Sequence, residues 1–521
     1  MITSMEGWTG VGALGSLVFM VVIMVYYFYP TWKVRHIPVP PYTWFLGHIP
    51  LLTKHQALCW TMLAKDYGPM YRFHVGRQPM VMVTDAELCR QVGLKLFKQV
   101  PNRSNPAMIE GSSVLKKALF FSRDEQWSGM KSILQPLFHS DKMNNYTPIM
   151  TQIVDELLER LRSVKEGEDV NISRLFQRLT LDVIGEVAFG IKFGLVLETP
   201  GPDEWLVQTT VKSIDALRMD AGAGVPLSTI VGTFFPILQK PFRSLLRMIP
   251  GTPEWVADGS DHALKLRLRQ IQQEREELMR RNGSVSRVDS LSLLLNSSKL
   301  NKQNGKLLTQ DYIGALTYEL TLVGSETSSV TLSMLTYLLA LHPECERKML
   351  AEIDAFGPRD LPITTEDLET KFPYVDMVIK ETMRKHTTTP VVAREASEDI
   401  ELGGYHLPKG TWVWLVLEAL QMNPKDFPEP EEFRPERFDE NCDEAKTRHP
   451  YAFLPFGVGP RSCLGKRFAA QEVKLTVVRL YQNFTFTLSP LTKVPLETQF
   501  GIVVRPKHGV CVRVHPRWTR L

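Results

Sequence analysis

The 521-residue sequence predicts a mainly α-helical fold with small β-sheets, preceded by one N-terminal transmembrane helix. Three stretches carry that prediction. Trp8 to Tyr29 is uncharged and mostly apolar. Asp311 to Leu341 is helix-like, interrupted only by Gly314 and Gly324. Phe456 to Gly465 is a glycine-punctuated loop leading into Ala469, Val473, Val477 and Leu480 at helical spacing. Alternating runs at Met70–Val75 and Pro79–Val83, separated by Gly76, add a small hairpin or sheet edge.

The composition is that of a globular protein large enough to bury a substantial core. A formal charge of +4 gives no support to nucleic acid binding. The six cysteines, at 59, 89, 345, 442, 463 and 511, form no CxxC or CxxCH pattern. Structural zinc and c-type haem are therefore not indicated, and the spacing suits scattered thiols in a reducing compartment.

The run from Trp8 to Tyr29 is about 20 residues long, enough to cross a bilayer as a helix. Tyr26, Tyr27, Tyr29 and Trp32 would sit at one interface. Lys33, Arg35 and His36 follow, which places the large domain in the cytosol by the positive-inside tendency. Ile37-Pro-Val-Pro-Pro41 cannot continue the helix. The chain thus divides into a tail and anchor (1–30), a basic, proline-rich hinge (31–50) and a catalytic domain (51–521).

Within that domain, residues 102–119 read as an irregular loop. Trp127 and Lys131 are four apart and share one helical face. Ile149 to Phe193 reads as mainly helical, with Asp182 and Gly185 as interruptions, and 209–253 is mixed. Residues 261–281 form a charged helix and 282–305 a solvent-facing stretch. Glu381 and Arg384 also share a helical face, Pro390–Arg394 is extended or turning, and Glu401–Thr411 reads as strand, turn and strand. Ile502–Val504 belongs to a final strand-rich region.

A lone cysteine after a turn is usually a buried structural thiol, so the surroundings of Cys463 decide its role. The glycines and Pro460 oppose regular structure, and such a loop aims backbone N–H groups at the sulfur, aided by the positive end of the next helix. Those donors stabilise a thiolate and temper its electron release to a metal.

Phe456, Gly459, Arg461, Cys463 and Gly465 match Phe-x-x-Gly-x-Arg-x-Cys-x-Gly, which resembles the haem-binding signature of the cytochrome P450 superfamily. The resemblance implies a cytochrome P450 fold binding haem b, with Cys463 as proximal iron ligand, Phe456 near the sulfur and Arg461 on a propionate. Trp127, Lys131 and Arg394 resemble further propionate contacts. Val323-Gly-Ser-Glu-Thr-Ser328 resembles the family's oxygen-binding groove: Gly324 would open the backbone, Glu326 would link to a proton supply, and Thr327 would hold a proton near the reaction. Glu381, Arg384 and Arg437 resemble the family's structural lock. Dioxygen and NADPH-derived electrons are the implied co-substrates, and NADPH–cytochrome P450 reductase the partner, docking on a basic face with Lys131, Lys466 and Arg467. Anchor and hinge resemble those of single-pass endoplasmic reticulum members, which meet apolar substrates at membrane lipid.

Longer stretches, among them Gly76–Pro79, Ala86–Cys89, Pro101–Ser104, Lys371–Tyr374, Gly410–Trp414, His449–Phe453 and Gln471–Thr476, resemble the plant carlactone oxidases of strigolactone biosynthesis. That resemblance implies successive oxidation of a carlactone methyl group to carlactonoic acid, possibly onward to 4-deoxyorobanchol or orobanchol. Asn105–Glu110 and Lys385–Thr389 depart from it. Three alternatives stay open: hydroxylation of another terpenoid or fatty acid, reductase-independent isomerisation of a hydroperoxide, and a non-enzymatic haem sensor or carrier.

Overall fold

The computed structural model describes residues 3–112, 114–199, 201–219, 225–282, 289–300 and 308–517. Helices dominate, and small sheets lie at their margins. The strands Met70–Val75 and Gln78–Val83 form the expected antiparallel hairpin. Gln78–Val83 also pairs in parallel with Trp412–Val416, which pairs antiparallel with Val391–Glu395. One sheet therefore holds the segment carrying Arg394 against the first strands of the chain.

The central helix, Gln310–Leu341, runs unbroken through both glycines. It is buried along much of its length despite many hydroxyls, because those hydroxyls pair within the helix. Thr317, Thr321, Ser325, Ser333 and Thr336 each donate to the carbonyl four residues back, at 2.7–2.9 Å. Pro343 opens the next helix, where a missing N–H costs nothing.

Gly324 corrects an expectation. The backbone there is ordinary helix rather than a locally opened groove, and the missing side chain serves packing. A Cβ on Gly324 would lie 2.5 Å from Ile184 Cδ1, on the crossing helix Ile172–Phe189. That helix also passes straight through Asp182 and Gly185; the real break between the 149–193 helices is the stretch after Arg162, which includes the strand Asp169–Asn171. Gly185 is needed because the Phe193 ring packs on it, 2.5 Å from where a Cβ would stand.

Two further expectations change. Ser290–Leu300 is a helix that buries Leu291, Leu294 and Leu295, so this part of 282–305 does not face solvent. Residues 283–288 and 301–305 of that expectation, like 220–224 of the mixed segment, lie outside the described residues. Ile502–Val504 is a bend between the paired strands Thr498–Gln499 and Arg505–Pro506 rather than a strand itself.

The anchor helix extends from Thr3 to Lys33, and Leu14–Lys33 is the part long and apolar enough to cross a membrane. It continues through Pro30, beyond the expected end at Tyr29. Pro30 cannot donate to the Tyr26 carbonyl, and Arg77 Nε takes that acceptor at 2.9 Å instead. Arg72 Nη1 binds the Thr31 carbonyl at 3.0 Å. Tyr27 is not at a free interface: it is 3% exposed, packed on Phe45 and on Phe235 of the catalytic domain. The 31–50 segment is packed as well, with Val34 and Ile37 in the core and the Arg72 N–H on the Pro38 carbonyl at 2.7 Å.

The Gly324–Ile184 contact yields a test. Gly324→Ala overpacks the crossing and should cost about 1–3 kcal/mol. In denaturant unfolding, the double variant Gly324→Ala/Ile184→Ala should lose less than the sum of the two single losses, because the shortened side chain relieves the clash.

Candidate active site

The loop before Cys463 closes on itself: the Cys463 N–H donates to the Phe456 carbonyl at 2.8 Å, with one tight turn at Gly459–Arg461 between them. Gly457 and Gly459 take φ of 75° and 72°. At Gly459 a Cβ would stand 1.9 Å from the Gly93 carbonyl oxygen, so backbone crosses backbone there and only glycine fits. The helix Lys466–Asn483 follows at once, burying Val473, Val477 and Leu480.

Burial pushes the Cys463 thiol up; a Gly465 backbone hydrogen bond, Arg103 and Lys466 oppose it. The residue keeps accessible surface although protein surrounds it on nearly every side. That combination points to enclosed space beside the residue rather than bulk water.

Glu319, Val323 and Thr327, four residues apart, form one stripe of the central helix. Val323 is 44% exposed and Thr327 half-buried, while Leu322, Ser325, Glu326 and Ser328 are buried. The middle of this core helix thus also opens on a void. Contacts tie the stripe to the cysteine loop. Glu319 accepts the backbone N–H groups of Leu119 and Phe120 at 2.7 and 2.8 Å. Arg103 lies 3.7 Å over the Phe120 ring and donates to the Arg461 carbonyl at 3.2 Å. Burial pushes the Glu319 carboxyl up to about 7, against its two N–H donors, Arg103 and Arg461.

Three guanidinium groups gather here. Arg103, Arg394 and Arg461 are all buried, and among the described residues none forms an ion pair within 4.0 Å. Each retains one N–H without a partner: Nε of Arg103, Nε of Arg394 and Nη1 of Arg461. Burial lowers Arg103 to about 10 and Arg461 to about 9, and holds Arg394 well below its usual range; repulsion from Arg103 lowers the latter two further. Asp124 and Glu319 offset part of the positive charge at Arg461. A buried cluster of three guanidinium groups with unused donors calls for an anionic ligand. Haem fits this demand, with two propionates for the arginines and an iron for the thiolate.

The sequence analysis singled out Arg394 and Arg461 but not Arg103 or Glu319. Pro101-Asn-Arg-Ser104 was visible only as part of a longer resemblance, and a glutamate in a helix carries no mark of what it binds. Trp127 and Lys131 lie beside the cluster, differently engaged than expected. The Arg461 guanidinium is 4.0 Å over the Trp127 ring, and Lys131 Nζ donates to the Pro460 carbonyl at 2.5 Å. Lys131 therefore braces the cysteine loop. Lys466 sits 5.7 Å over the Phe456 ring.

Glu326 and Thr327 are not hydrogen-bonded to each other. Thr327 Oγ1 donates to the Val323 carbonyl at 2.9 Å. Glu326, 1% exposed, accepts from Arg505 Nη1 at 3.1 Å and Gln177 Nε2 at 3.3 Å. Burial raises its pKa, opposed by Arg505. Arg505 also binds the partly exposed Asp215. Successive helix residues point about 100° apart, which is why an acid and an alcohol adjacent in sequence serve different surroundings.

The structural lock is as expected. Arg384 binds both oxygens of Glu381, at 2.7 and 2.8 Å, and Arg437 Nε reaches Oε1 at 3.1 Å, all three side chains out of water. Arg384 also donates to the Gln421, Pro430 and Glu432 carbonyls, and Arg437 to those of Pro428 and Glu429. A further partner, Glu444, was not anticipated; it accepts from Arg437 Nη1 at 2.5 Å.

Residues 37–512 match the family model described as Cytochrome P450. The chain is 33% identical to cytochrome P450 3A28 of Bos taurus over 516 residues, covering 99% of this chain and 96% of the relative. It is 32% identical to cytochrome P450 3A13 of Mus musculus over 485 residues, covering 92% and 91%. It is also 31% identical to thromboxane-A synthase of Sus scrofa over 482 residues, covering 87% of each.

Glu381→Ala would strand the buried Arg384 guanidinium and leave Arg437 with Glu444 alone, and the loss should be about 3–5 kcal/mol. Equilibrium unfolding monitored by tryptophan fluorescence should show it, together with loss of a bound Soret chromophore.

Proposed function

The chain belongs to the cytochrome P450 family and is an oxidoreductase of the monooxygenase class; within that class we propose that it is a membrane-bound carlactone oxidase. It would carry one methyl group of an apolar terpenoid through successive hydroxylations to carlactonoic acid, with 4-deoxyorobanchol or orobanchol as further products. The observation that carries the haem chemistry is the set of unpaired guanidinium donors beside Cys463. The substrate reading is carried by sequence segments that resemble the carlactone oxidases. Two of them meet at the site, where Trp414 Nε1 donates to Ser104 Oγ at 2.9 Å. A second contact joins Arg461 Nε of the cysteine loop to the Pro101 carbonyl at 2.9 Å.

When bound, haem supplies the activation of dioxygen and its insertion into a C–H bond. The protein's residues divide the remaining work. Cys463 would hold the iron through its sulfur, and the Gly465 backbone hydrogen bond would temper its electron donation. Arg103, Arg394 and Arg461 would hold the propionates and fix the cofactor's orientation. Thr327 holds a proton at Oγ1, donated to the Val323 carbonyl. Glu326 is not bonded to Thr327; held in place by Arg505, which also binds the partly exposed Asp215, it would be the nearby carboxyl that resupplies protons through intervening water.

Electrons would come from NADPH through NADPH–cytochrome P450 reductase, docked on a face that includes exposed Lys466 and Arg467. Lys131 contributes less, since its ammonium is bound to Pro460. The anchor helix would hold the protein in the endoplasmic reticulum membrane, with the catalytic domain in the cytosol. The competing reading is a reductase-independent hydroperoxide isomerase. Thr327 and the buried Glu326 weigh against it, because isomerisation consumes no protons from such a route.

Microsomes containing this protein and the reductase should convert carlactone to carlactonoic acid when NADPH is present, as read by mass spectrometry against a small terpenoid panel. Efficient oxidation of another terpenoid with carlactone untouched would reject the substrate assignment. Turnover of a hydroperoxide without NADPH would instead establish the isomerase. In the same assay Thr327→Ala should lower product formation on the order of 10²-fold while NADPH consumption continues.

A further inference from the structure

Glu319 takes no part in the chemistry just described, yet both of its oxygens are used. It lies on the central helix two turns before Thr327, is 7% exposed, and binds the adjacent N–H groups of Leu119 and Phe120. Leu119 closes the 102–119 segment and Phe120 follows it; among its described residues the regular structure is a four-residue helix at Ala107–Glu110 and a single turn at Leu115–Lys117. Its internal hydrogen bonds shape these local turns, and its position against the central helix depends on contacts outside the segment.

The other attachments of this stretch to the central helix are weaker. Lys117 pairs with Asp311 at 2.6 Å, but both side chains are more than a third exposed, so water and salt screen the pair. Glu319, by contrast, makes charge-assisted bonds to backbone in a buried setting, where such bonds are strongest. The same contact fixes the Phe120 ring beneath the Arg103 guanidinium, and Arg103 reaches the cysteine loop through the Arg461 carbonyl. One carboxylate thus connects the central helix, the covering loop and the arginine cluster.

We propose that Glu319 is the latch of the 102–120 loop: its carboxylate pins the Leu119–Phe120 backbone to the central helix and so sets how fast bulky apolar ligands enter and leave the void beneath. Glu319 is a positioning residue, acting through the loop and not on the reacting atoms. That a ligand-binding void lies beneath the loop rests on the monooxygenase reading; the latch itself rests on two hydrogen bonds.

Glutamine keeps the shape of Glu319, but its amide oxygen accepts from one N–H while its NH2 group faces the other donor. In full-length holoprotein held in lipid nanodiscs, hydrogen–deuterium exchange of the peptide carrying Leu119 and Phe120 should be about 10- to 100-fold faster in Glu319→Gln, as expected for a lost charge-assisted bond. Dissociation of clotrimazole, a bulky azole that ligates haem iron, should accelerate about tenfold, with imidazole dissociation unchanged and the reduced CO-bound Soret band retained. Glu319→Asp, which keeps the charge but shortens the reach, supplies the same readings at smaller amplitude and replaces the glutamine variant if that one loads no haem.

Unchanged exchange at Leu119–Phe120 with the Soret band retained would overturn the latch. Faster exchange with unchanged clotrimazole dissociation would overturn its control of ligand passage. Neither reading uses carlactone, so a wrong substrate assignment would leave the outcome untouched.

Discussion

Three guanidinium groups held out of water without a matching anion are the constraint on which this structure turns. Arg103, Arg394 and Arg461 come from separate parts of the chain, and each approaches the others at a cost in desolvation and repulsion. Such a cluster persists only where the surroundings enforce it and where an acidic ligand repays it. The surroundings here are unusually committed. The sheet containing Val391–Glu395 carries Arg394, carbonyls of Pro101 and Ser122 clamp Arg461, and the crossing of Gly459 over Gly93 leaves the cysteine loop no alternative path.

Rigidity on the other side of that loop has a different origin. Glu381, Arg384 and Arg437 satisfy one another and then the carbonyls of residues 421–432, so a long irregular stretch is fixed by side chains instead of by regular backbone pairing. A buried ionic group of this kind is weak evidence for stability as such, but it specifies one arrangement of the backbone it binds. The central helix contributes by the opposite means. Its hydroxyls turn inward onto its own carbonyls, leaving an apolar exterior interrupted by the Glu319–Val323–Thr327 stripe. The anchor helix is bound by the same logic: Arg77 takes the carbonyl that Pro30 leaves idle, and Tyr27 inserts between Phe45 and Phe235. Membrane helix and catalytic domain are thereby joined by specific contacts as well as by covalent linkage.

The sequence made the periodic and local features legible. The central helix, the hairpin, the lock and the cysteine loop could be read because helical spacing, turn residues and short motifs are local signals. What it concealed was direction. Gly324 looked like an opening in the backbone and is a packing notch for Ile184, a contact made by a residue far away in the chain. Glu326 and Thr327 looked like a pair and face different partners, because Arg505 is brought in by a carboxyl-terminal strand. Lys131 reads as a propionate contact, and its ammonium binds the Pro460 carbonyl. Arg103 and Glu319 escaped notice for the same reason: their significance lies in long-range neighbours, which spacing along the chain does not reveal.

The account depends most directly on Cys463 as the thiolate ligand of haem. Its decisive measurement is the visible difference spectrum of the reduced protein with carbon monoxide, recorded for the parent and for Cys463→Ala at matched protein concentration. The parent should show the red-shifted thiolate Soret band, and Cys463→Ala should lack it completely. The same band surviving in Cys463→Ala would contradict the assignment.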